Sequence, residues 1–347
     1  MHPARLWRPL GQQVGESKAN SIQCRLCSHF CKIHPDEIGR CGVRKNVNGE
    51  LKTLVYSKIA AANLDPVEKK PLYHFMPGTN TFSFGTAGCN LSCSFCQNYS
   101  ISVMPRVTGK VTGEMSRPDQ LVALALESGA KSISYTYSEP TVFFELMADT
   151  AELAIKKGLK NIMVSNGFQS PECLAELKDL IHACNIDLKA ATESFYSNIC
   201  GAHIRPVLNN LKTIRNMGWW LEVTTLIVPD ENDKDEELKT LARFINDELG
   251  SDTPWHISRF HPTYKMQGHE PTPPETLEYA SVIGKAAGLN YVYVGNVHGH
   301  KGRDTLCPSC GYTVIERNSY IAAPRDYSQC PSCNRPIAGI WSSNDPR

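Results

Sequence analysis

Between residues 81 and 296 the chain alternates two hydrophobic patterns. Seven short runs are rich in apolar, β-branched and aromatic residues: TFSFG (81–85), SISYTYS (132–138), NIMVSN (161–166), NIDLKA (185–190), LEVTTLIVP (221–229), WHISRF (255–260) and YVYVGN (291–296). Short continuous apolar runs fit strands buried on both faces. Between them, apolar residues recur at three- and four-residue spacing, which predicts helices over 118–128, 141–157, 171–181, 193–200, 204–217, 234–249 and 274–287. Ser170 reads as the N-cap of one of them, with Pro171 in its first turn. Repeated strand–helix units predict a parallel sheet with right-handed crossovers. The expected fold class is α/β, a partial TIM barrel of (β/α)6 type.

Two Cys-rich pieces flank the barrel. The expected division is an N-terminal extension over 1–75, a barrel over 76–300 and a small C-terminal segment over 301–347. KNVNGELKTLVY (45–56) predicts a hairpin turning at Asn48-Gly49, and HGHKGR (298–303) reads as a solvated linker. Composition adds exclusions. Charged residues make up 20% and hydrophobic ones 41%, which argues against wholesale disorder. With 36 Lys+Arg against 35 Asp+Glu there is no chain-wide basic footprint, so nucleic acid is not an expected partner. No stretch approaches the roughly 18 apolar residues of a membrane helix, so no membrane is expected either. The first twenty residues carry no apolar run, so no signal peptide is expected and the expected compartment is the cytoplasm.

The 14 cysteines change the picture most. Cys24, Cys27, Cys31 and Cys41 form one bunch, Cys89, Cys93 and Cys96 a second, and Cys307, Cys310, Cys330 and Cys333 a third. Cys173, Cys184 and Cys200 stand alone and read as small buried hydrophobes. Closely spaced cysteines in a reducing compartment read as metal thiolates rather than disulfides. The last bunch is two Cys-Pro-Ser-Cys knuckles 19 residues apart, a zinc-ribbon spacing, with strand character in the intervening VIERNSYIAA (314–323). A rubredoxin-like iron site and an auxiliary iron–sulfur cluster are its alternatives. The first bunch, Cys-x2-Cys-x3-Cys-x9-Cys, is less regular. Zinc is the first expectation there and an auxiliary cluster its rival, with His29 and His34 able to replace a thiolate. The C-terminal segment is too small to bury much core alone, so a metal should supply part of its folding energy.

The middle bunch, Cys89-x3-Cys93-x2-Cys96, follows the first predicted strand directly. A [4Fe–4S] cluster normally takes four protein thiolates. Three on one loop, with no fourth close in sequence, leave one iron open to a ligand, which a substrate-binding cluster requires and a simple electron carrier does not. A structural zinc site with a distant fourth ligand is the alternative. With Phe95 as its aromatic, the Cys-x3-Cys-x-aromatic-Cys pattern resembles the signature of radical SAM enzymes. The resemblance implies that S-adenosylmethionine (SAM) chelates the open iron through its amino and carboxylate groups. It further implies that one electron breaks the S–C5′ bond, and that the 5′-deoxyadenosyl radical so formed abstracts a hydrogen atom. The barrel would then be of the radical SAM kind. A low-potential donor, flavodoxin or ferredoxin, is the implied partner, since no flavin or nicotinamide fingerprint appears.

Catalytic groups in such barrels gather at the C-terminal strand ends. Polar residues do lie there: Ser138-Glu139-Pro140, Ser165-Asn166-Gly167, Asp187-Leu188-Lys189, Arg259-Phe260-His261 and Gly295-Asn296. Any one of them could be a satisfied structural group or a helix cap. The resemblance narrows to the branch of the pyruvate formate-lyase activating enzyme. There Glu139, with Ser138 beside it, matches the acidic residue that binds the SAM amino group. Asp187 and Lys189 match an Asp-Leu-Lys motif beside SAM, Asn166 an Asn-Gly pair, and His261 a histidine near SAM. One departure is that Thr224 precedes Val228-Pro229 where that branch carries an arginine, so Arg259 becomes the candidate for the SAM carboxylate. Over nearly its full length the chain resembles the radical SAM members of the AmmeMemoRadiSam system. The matches are GRCGVR (39–44), FSFGTAGCNLSCSFCQN (82–98), YSEPT (137–141), SRFHP (258–262), YVGN (293–296) and the terminal Cys-Pro-x-Cys pairs.

The expected function is therefore a radical SAM enzyme, oxidoreductase- or activase-like, abstracting hydrogen from an unidentified substrate. The wide mouth of a barrel with fewer than eight units would admit a protein loop. The alternative, from another class, is a metal-stabilised scaffold or nucleic-acid-binding module whose cluster serves structure or electron transfer. Glu139 and Asp187 argue against it, because a scaffold needs no ionisable groups at a barrel mouth.

Overall fold

The computed structural model describes residues 1–11, 20–317, 321–323 and 325–342. All seven apolar runs are strands of one sheet: β2 (Asn80–Gly85), β3 (Ser132–Tyr135), β4 (Lys160–Ser165), β5 (Ala183–Asp187), β6 (Trp220–Ile227), β7 (Trp255–Arg259) and β8 (Val292–Gly295). They are mutually parallel, with Ser132 opposite both Thr81 and Lys160, and Ala183 opposite Trp220. Ahead of them, β1 (Ala61–Pro66) adds an antiparallel edge on β2. Strand order follows chain order, so every crossover steps one strand in the same direction and the sheet curls. β1 and β8 do not pair with each other, and the barrel stays open.

Each of the six crossovers carries one main helix: α1 (Pro118–Glu127), α2 (Phe144–Lys156), α3 (Pro171–Leu177), α4 (Ile204–Met217), α5 (Asp235–Phe244) and α6 (Pro274–Ala286). Their ends have local causes. Gln120 Oε1 accepts from the Arg117 N–H at 2.9 Å, ahead of Pro118. Ser170 caps α3 as expected, its Oγ accepting from the Cys173 N–H at 3.1 Å. Gly218, at φ 84°, closes α4 in a left-handed conformation that costs other residues more. Helix α3 ends at Leu177, shorter than the 171–181 pattern. Helix α2 is apolar along most of its length; Phe144, Leu146, Met147, Ala148, Ala151 and Ala154 are all fully buried.

The N-terminal segment forms two small antiparallel sheets. One joins His2–Pro3, Glu50–Thr53 and Arg44–Val47, the other Trp7–Pro9, Ile22–Cys24 and Lys32–Ile33. The hairpin turns at Asn48 (φ 54°) and Gly49 (φ 90°), the pair of positive angles that suits a two-residue hairpin loop. This lobe is tied to the barrel by a buried ion pair. Both terminal nitrogens of the Arg44 guanidinium, Nη2 and Nη1, donate to Glu145 of α2, at 2.8 and 3.3 Å, and neither residue is more than 2% exposed.

The C-terminal segment pairs Thr305–Leu306 with Thr313–Ile315. The strand expected over 314–323 stops at Ile315, and residues 318–320 lie outside the described ones. The chain turns inward there because Arg317 is buried; its guanidinium donates to the carbonyls of Arg303 and Tyr73 and to Thr305 Oγ1. At the barrel floor, buried Glu222 accepts from the backbone N–H groups of Tyr73 (2.9 Å) and His74 (2.8 Å) and pairs with His256 Nε2 at 2.6 Å. Burial alone would raise that carboxyl, but the His256 bond and charge hold it below its ordinary range. His74 Nδ1 then meets the Ala338 carbonyl at 2.6 Å, joining floor and C-terminal segment.

Candidate functional site

A cavity of about 620 Å³ opens at the C-terminal ends of the barrel strands. Cys89, Cys93, Phe95 and Cys96 line it from the loop after β2, Ser138 and Glu139 from the end of β3, Ser165 and Asn166 from the end of β4, and Asp187 and Lys189 from β5 and beyond. His261 and Asn296 complete the rim.

The cysteine loop is held from outside. Ser92 N–H donates to the Cys200 carbonyl (2.8 Å), Ser94 N–H to the Ile199 carbonyl (3.0 Å), and Arg106 to the Leu91 carbonyl. Gly85 ends β2 where a Cβ would stand 2.2 Å from the Thr136 carbonyl, so the loop can leave the sheet only over a glycine. Cys89 Sγ accepts from the Leu91 N–H at 3.4 Å and from Asn166 Nδ2 at 3.8 Å, and stands 3.9 Å from Asn90 Oδ1. Burial first, and the Glu139 charge next, push the Cys89 thiol well above its ordinary range. Cys93 is lowered instead, by a hydrogen bond with Cys200.

Glu139 is buried and knits β3 to β4. Its Oε1 accepts from Thr141 N (3.1 Å), Thr141 Oγ1 (2.5 Å) and Ser165 Oγ (2.7 Å), and its Oε2 from Asn166 N (2.9 Å). Burial raises this carboxyl and those donors partly offset the rise. Asp187 Oδ2 accepts from Lys189 Nζ at 2.7 Å, and that ammonium stands 5.7 Å from the Phe95 ring centroid. Burial works against the Lys189 charge, but Asp187 above all holds its pKa well above the ordinary value. Two buried oxygens at the cavity, Ser138 Oγ and Thr224 Oγ1, have no hydrogen-bond partner. Orphaned polar atoms beside a cavity of mixed polar and apolar lining suit an amino-acid- and ribose-bearing ligand. Three thiols from one loop suit a cluster with an open corner. The residues present therefore fit both expected groups.

Arg259 is the exception. It does not line the cavity; its Nε donates to the Thr272 carbonyl at 2.7 Å. Strand alternation explains this, since Ser258 of β7 faces the cavity and its neighbour must face away. Several lining residues escaped the sequence reading. Lys69 and Lys70 come from the segment after β1. Lys70 Nζ stands 2.8 Å from Asp65, which also accepts from Tyr137 OH at 2.8 Å. Tyr137 has a φ of 67° beside Glu139, an uncommon angle for a bulky residue.

The terminal cysteines lie apart from this cavity. At the C-terminus, Cys307 Sγ is 3.6 Å from Cys333 Sγ, Cys310 Sγ is 3.6 Å from Cys330 Sγ, and all four sulfurs lie within 4.8 Å of one another. That arrangement can hold a single metal ion. At the N-terminus, Cys24, Cys27, Cys31 and Cys41 line a separate small cavity with His29, Arg40 and Arg44. His34 is turned to Ser21, its Nδ1 2.9 Å from Ser21 Oγ.

Comparison with known proteins gives this geometry its family. A Methanocaldococcus jannaschii protein, "Uncharacterized protein MJ0808", is 43% identical over 303 residues, which is 87% of this chain and 90% of that one. The radical SAM superfamily model matches residues 84–245, the stretch carrying the cysteine loop, Glu139, Asn166, Asp187 and Lys189. The chain belongs to the radical SAM superfamily. The Escherichia coli K12 pyruvate formate-lyase 1-activating enzyme is 22% identical over 237 residues, covering 62% of this chain and 93% of that enzyme. Streptococcus suis SuiB, solved with S-adenosylmethionine bound, shares the fold at a TM-score of 0.50 and 12% identity, over 73% of this chain and 56% of SuiB. Membership implies a [4Fe–4S] cluster, SAM and radical chemistry, and so an enzyme rather than a scaffold. Among the described residues no helix is long and apolar enough to cross a membrane.

Proposed function

We propose that the barrel-mouth cavity cleaves SAM reductively on a cluster held by Cys89, Cys93 and Cys96, and takes hydrogen from a protein substrate. The observation that carries this reading is three thiols from one loop facing the same cavity as two unpartnered buried oxygens, Ser138 Oγ and Thr224 Oγ1. The cluster supplies the electron that breaks the S–C5′ bond, releasing methionine and the 5′-deoxyadenosyl radical that attacks a C–H bond. The chain's own groups position the reactants. Glu139 Oε2 accepts one bond, from Asn166, and has capacity left for the SAM ammonium. Lys189, in place of Arg259, faces the SAM carboxylate while Asp187 balances its charge. Phe95 keeps water from the cluster edge, and Asn166 orients Cys89. His261, exposed at the rim, meets the outer part of the ligand.

The openness of the barrel between β1 and β8 supports a macromolecular substrate, as for activating enzymes, and the full-length motif match supports a place in the AmmeMemoRadiSam system. We assign zinc to Cys307, Cys310, Cys330 and Cys333, electron supply to a flavodoxin or ferredoxin, and the cytoplasm as compartment. In this reading the catalytic unit starts with β1 at Ala61, earlier than the expected boundary at 76, because β1 pairs in the barrel sheet and Lys69 and Lys70 line the cavity; it runs to 300, with the cysteine lobe before it and 301–347 after it as metal-binding attachments.

The test is anaerobic reconstitution with iron, sulfide and SAM. The wild type with dithionite should form 5′-deoxyadenosine, and Cys93→Ala should form none above background. Cleavage that survives Cys93→Ala contradicts the reading.

A further inference from the structure

The N-terminal thiols take no part in the catalytic cavity, yet their arrangement differs from that of the C-terminal set. A tetrahedral zinc holds sulfur at about 2.3 Å, which places the sulfurs about 3.8 Å apart. The C-terminal quartet stands at that spacing, with two Sγ pairs at 3.6 Å. Among the described residues it is the one group of three or more Cys, His, Asp or Glu side chains whose ligand atoms all lie within 4.8 Å. Neither Cys24, Cys27, Cys31 and Cys41 nor Cys89, Cys93 and Cys96 closes to that degree. The N-terminal four instead surround a hollow walled by Leu26, Ile33 and Val142. Thiolates around a cubane stand further apart than thiolates around one ion, because four irons separate them.

The second observation is adjacency. Gly88 (φ 101°) precedes Cys89, and a Cβ there would lie 2.7 Å from Val43 Cγ1 and 3.1 Å from the Cys41 carbonyl oxygen. On the other side of Cys89, the Asn90 carbonyl is 2.8 Å from His29 Nε2. The residues on both sides of Cys89 thus touch the N-terminal cysteine lobe. Arg40, exposed, and Cys31, half-buried, carry the lining of the hollow to the surface.

We propose that Cys24, Cys27, Cys31 and Cys41 hold an auxiliary [4Fe–4S] cluster that passes single electrons to the cluster at the catalytic cavity. This displaces zinc as the expectation for that set. Its four thiolates leave no iron open, so it carries electrons and does not bind SAM. One electron enters from a low-potential donor protein and reduces the auxiliary cluster from 2+ to 1+. It then crosses the Cys41–Gly88 contact and reduces the catalytic cluster from 2+ to 1+. There it enters the sulfonium S–C5′ bond, which breaks to methionine and the 5′-deoxyadenosyl radical. The relay rests on the proposed function; the metal assignment does not.

Metal analysis of the anaerobically prepared full chain tests the assignment. The Cys89→Ala/Cys93→Ala/Cys96→Ala variant should keep about four iron and four sulfide per chain, with a paramagnetic signal that SAM does not alter. Zinc in place of that iron overturns the assignment. If the variant does not fold, the wild type decides, at about eight iron per chain against four. The relay is tested by Cys27→Ala/Cys31→Ala. It should retain the SAM-responsive signal and dithionite-driven cleavage, while cleavage driven by reduced flavodoxin falls by about tenfold or more. An unchanged flavodoxin-driven rate overturns the relay. A wild type whose signal ignores SAM would overturn the proposed function instead, leaving the iron count to judge the auxiliary cluster.

Discussion

The C-terminal quartet and the barrel-mouth triplet share a Cys-x2-Cys step and reach opposite ends. In the quartet each step is a turn closed on itself: Gly311 N–H donates to the Cys307 carbonyl and Asn334 N–H to the Cys330 carbonyl, both at 2.9 Å. The closing residues sit at φ 73° and 58°, so each loop folds back and the sulfurs converge. The triplet has a local bond too, from the Cys96 N–H to the Cys93 carbonyl at 3.2 Å, but its loop is also tied to distant residues, Ile199 and Cys200, and its cysteines line a cavity. One loop pair completes its own ligand set and the other leaves a face for something else. Closed sets suit structural metals and open ones suit chemistry.

The largest effect that separates the two is loss of the closed set. Cys330→Ala should release the C-terminal metal, and structural zinc contributes on the order of 10 kcal/mol to the folding of small metal-held segments. Metal content and proteolysis of the C-terminal segment report it, while SAM cleavage should continue, because none of the four cysteines lines the catalytic cavity. Next is Arg44→Met, which leaves Glu145 charged and buried. Breaking such a pair costs about 3–5 kcal/mol, read as a lower thermal midpoint and a protease-sensitive N-terminal lobe. Asp187→Asn should weaken SAM binding by about tenfold, the scale of one charge-assisted hydrogen bond, as measured by titration of the reduced cluster. Smallest is Cys200→Ser. Its sulfur hydrogen-bonds Cys93 yet does not line the cavity. Iron content and cleavage should stay within about twofold of wild type, the ordinary range for a group outside the reaction. A loss of iron would make Cys200 a fourth ligand and remove the distinction between open and closed sets.

Much of the barrel was legible because strands covered on both faces tolerate apolar residues at successive positions, as Ile162-Met163-Val164 in β4 and Val292-Tyr293-Val294 in β8 show. The antiparallel β1 was not legible. Its sequence, AANLDP, is half exposed and offers no periodic signal. The cavity residues it brings, Lys69 and Lys70, were missed with it. The cysteine loop and the acidic and amide strand ends were readable from spacing and position. Arg259 lies outside the cavity lining, and alternation along WHISR, with Ser258 toward the cavity, carries that information. The partnership of Cys200 with Cys93 depends on how residues 196–200 pack against the loop, and no local pattern encodes it.

The central claim is that the triplet leaves one iron open to SAM. The direct measurement is electron–nuclear double resonance on the reduced wild-type protein with SAM labelled by 15N in its amino group and 17O in its carboxylate. Strong coupling of both labels to the cluster is the predicted result. A cluster signal with no coupling to either label would mean that the triplet's metal centre is closed, and would contradict the account.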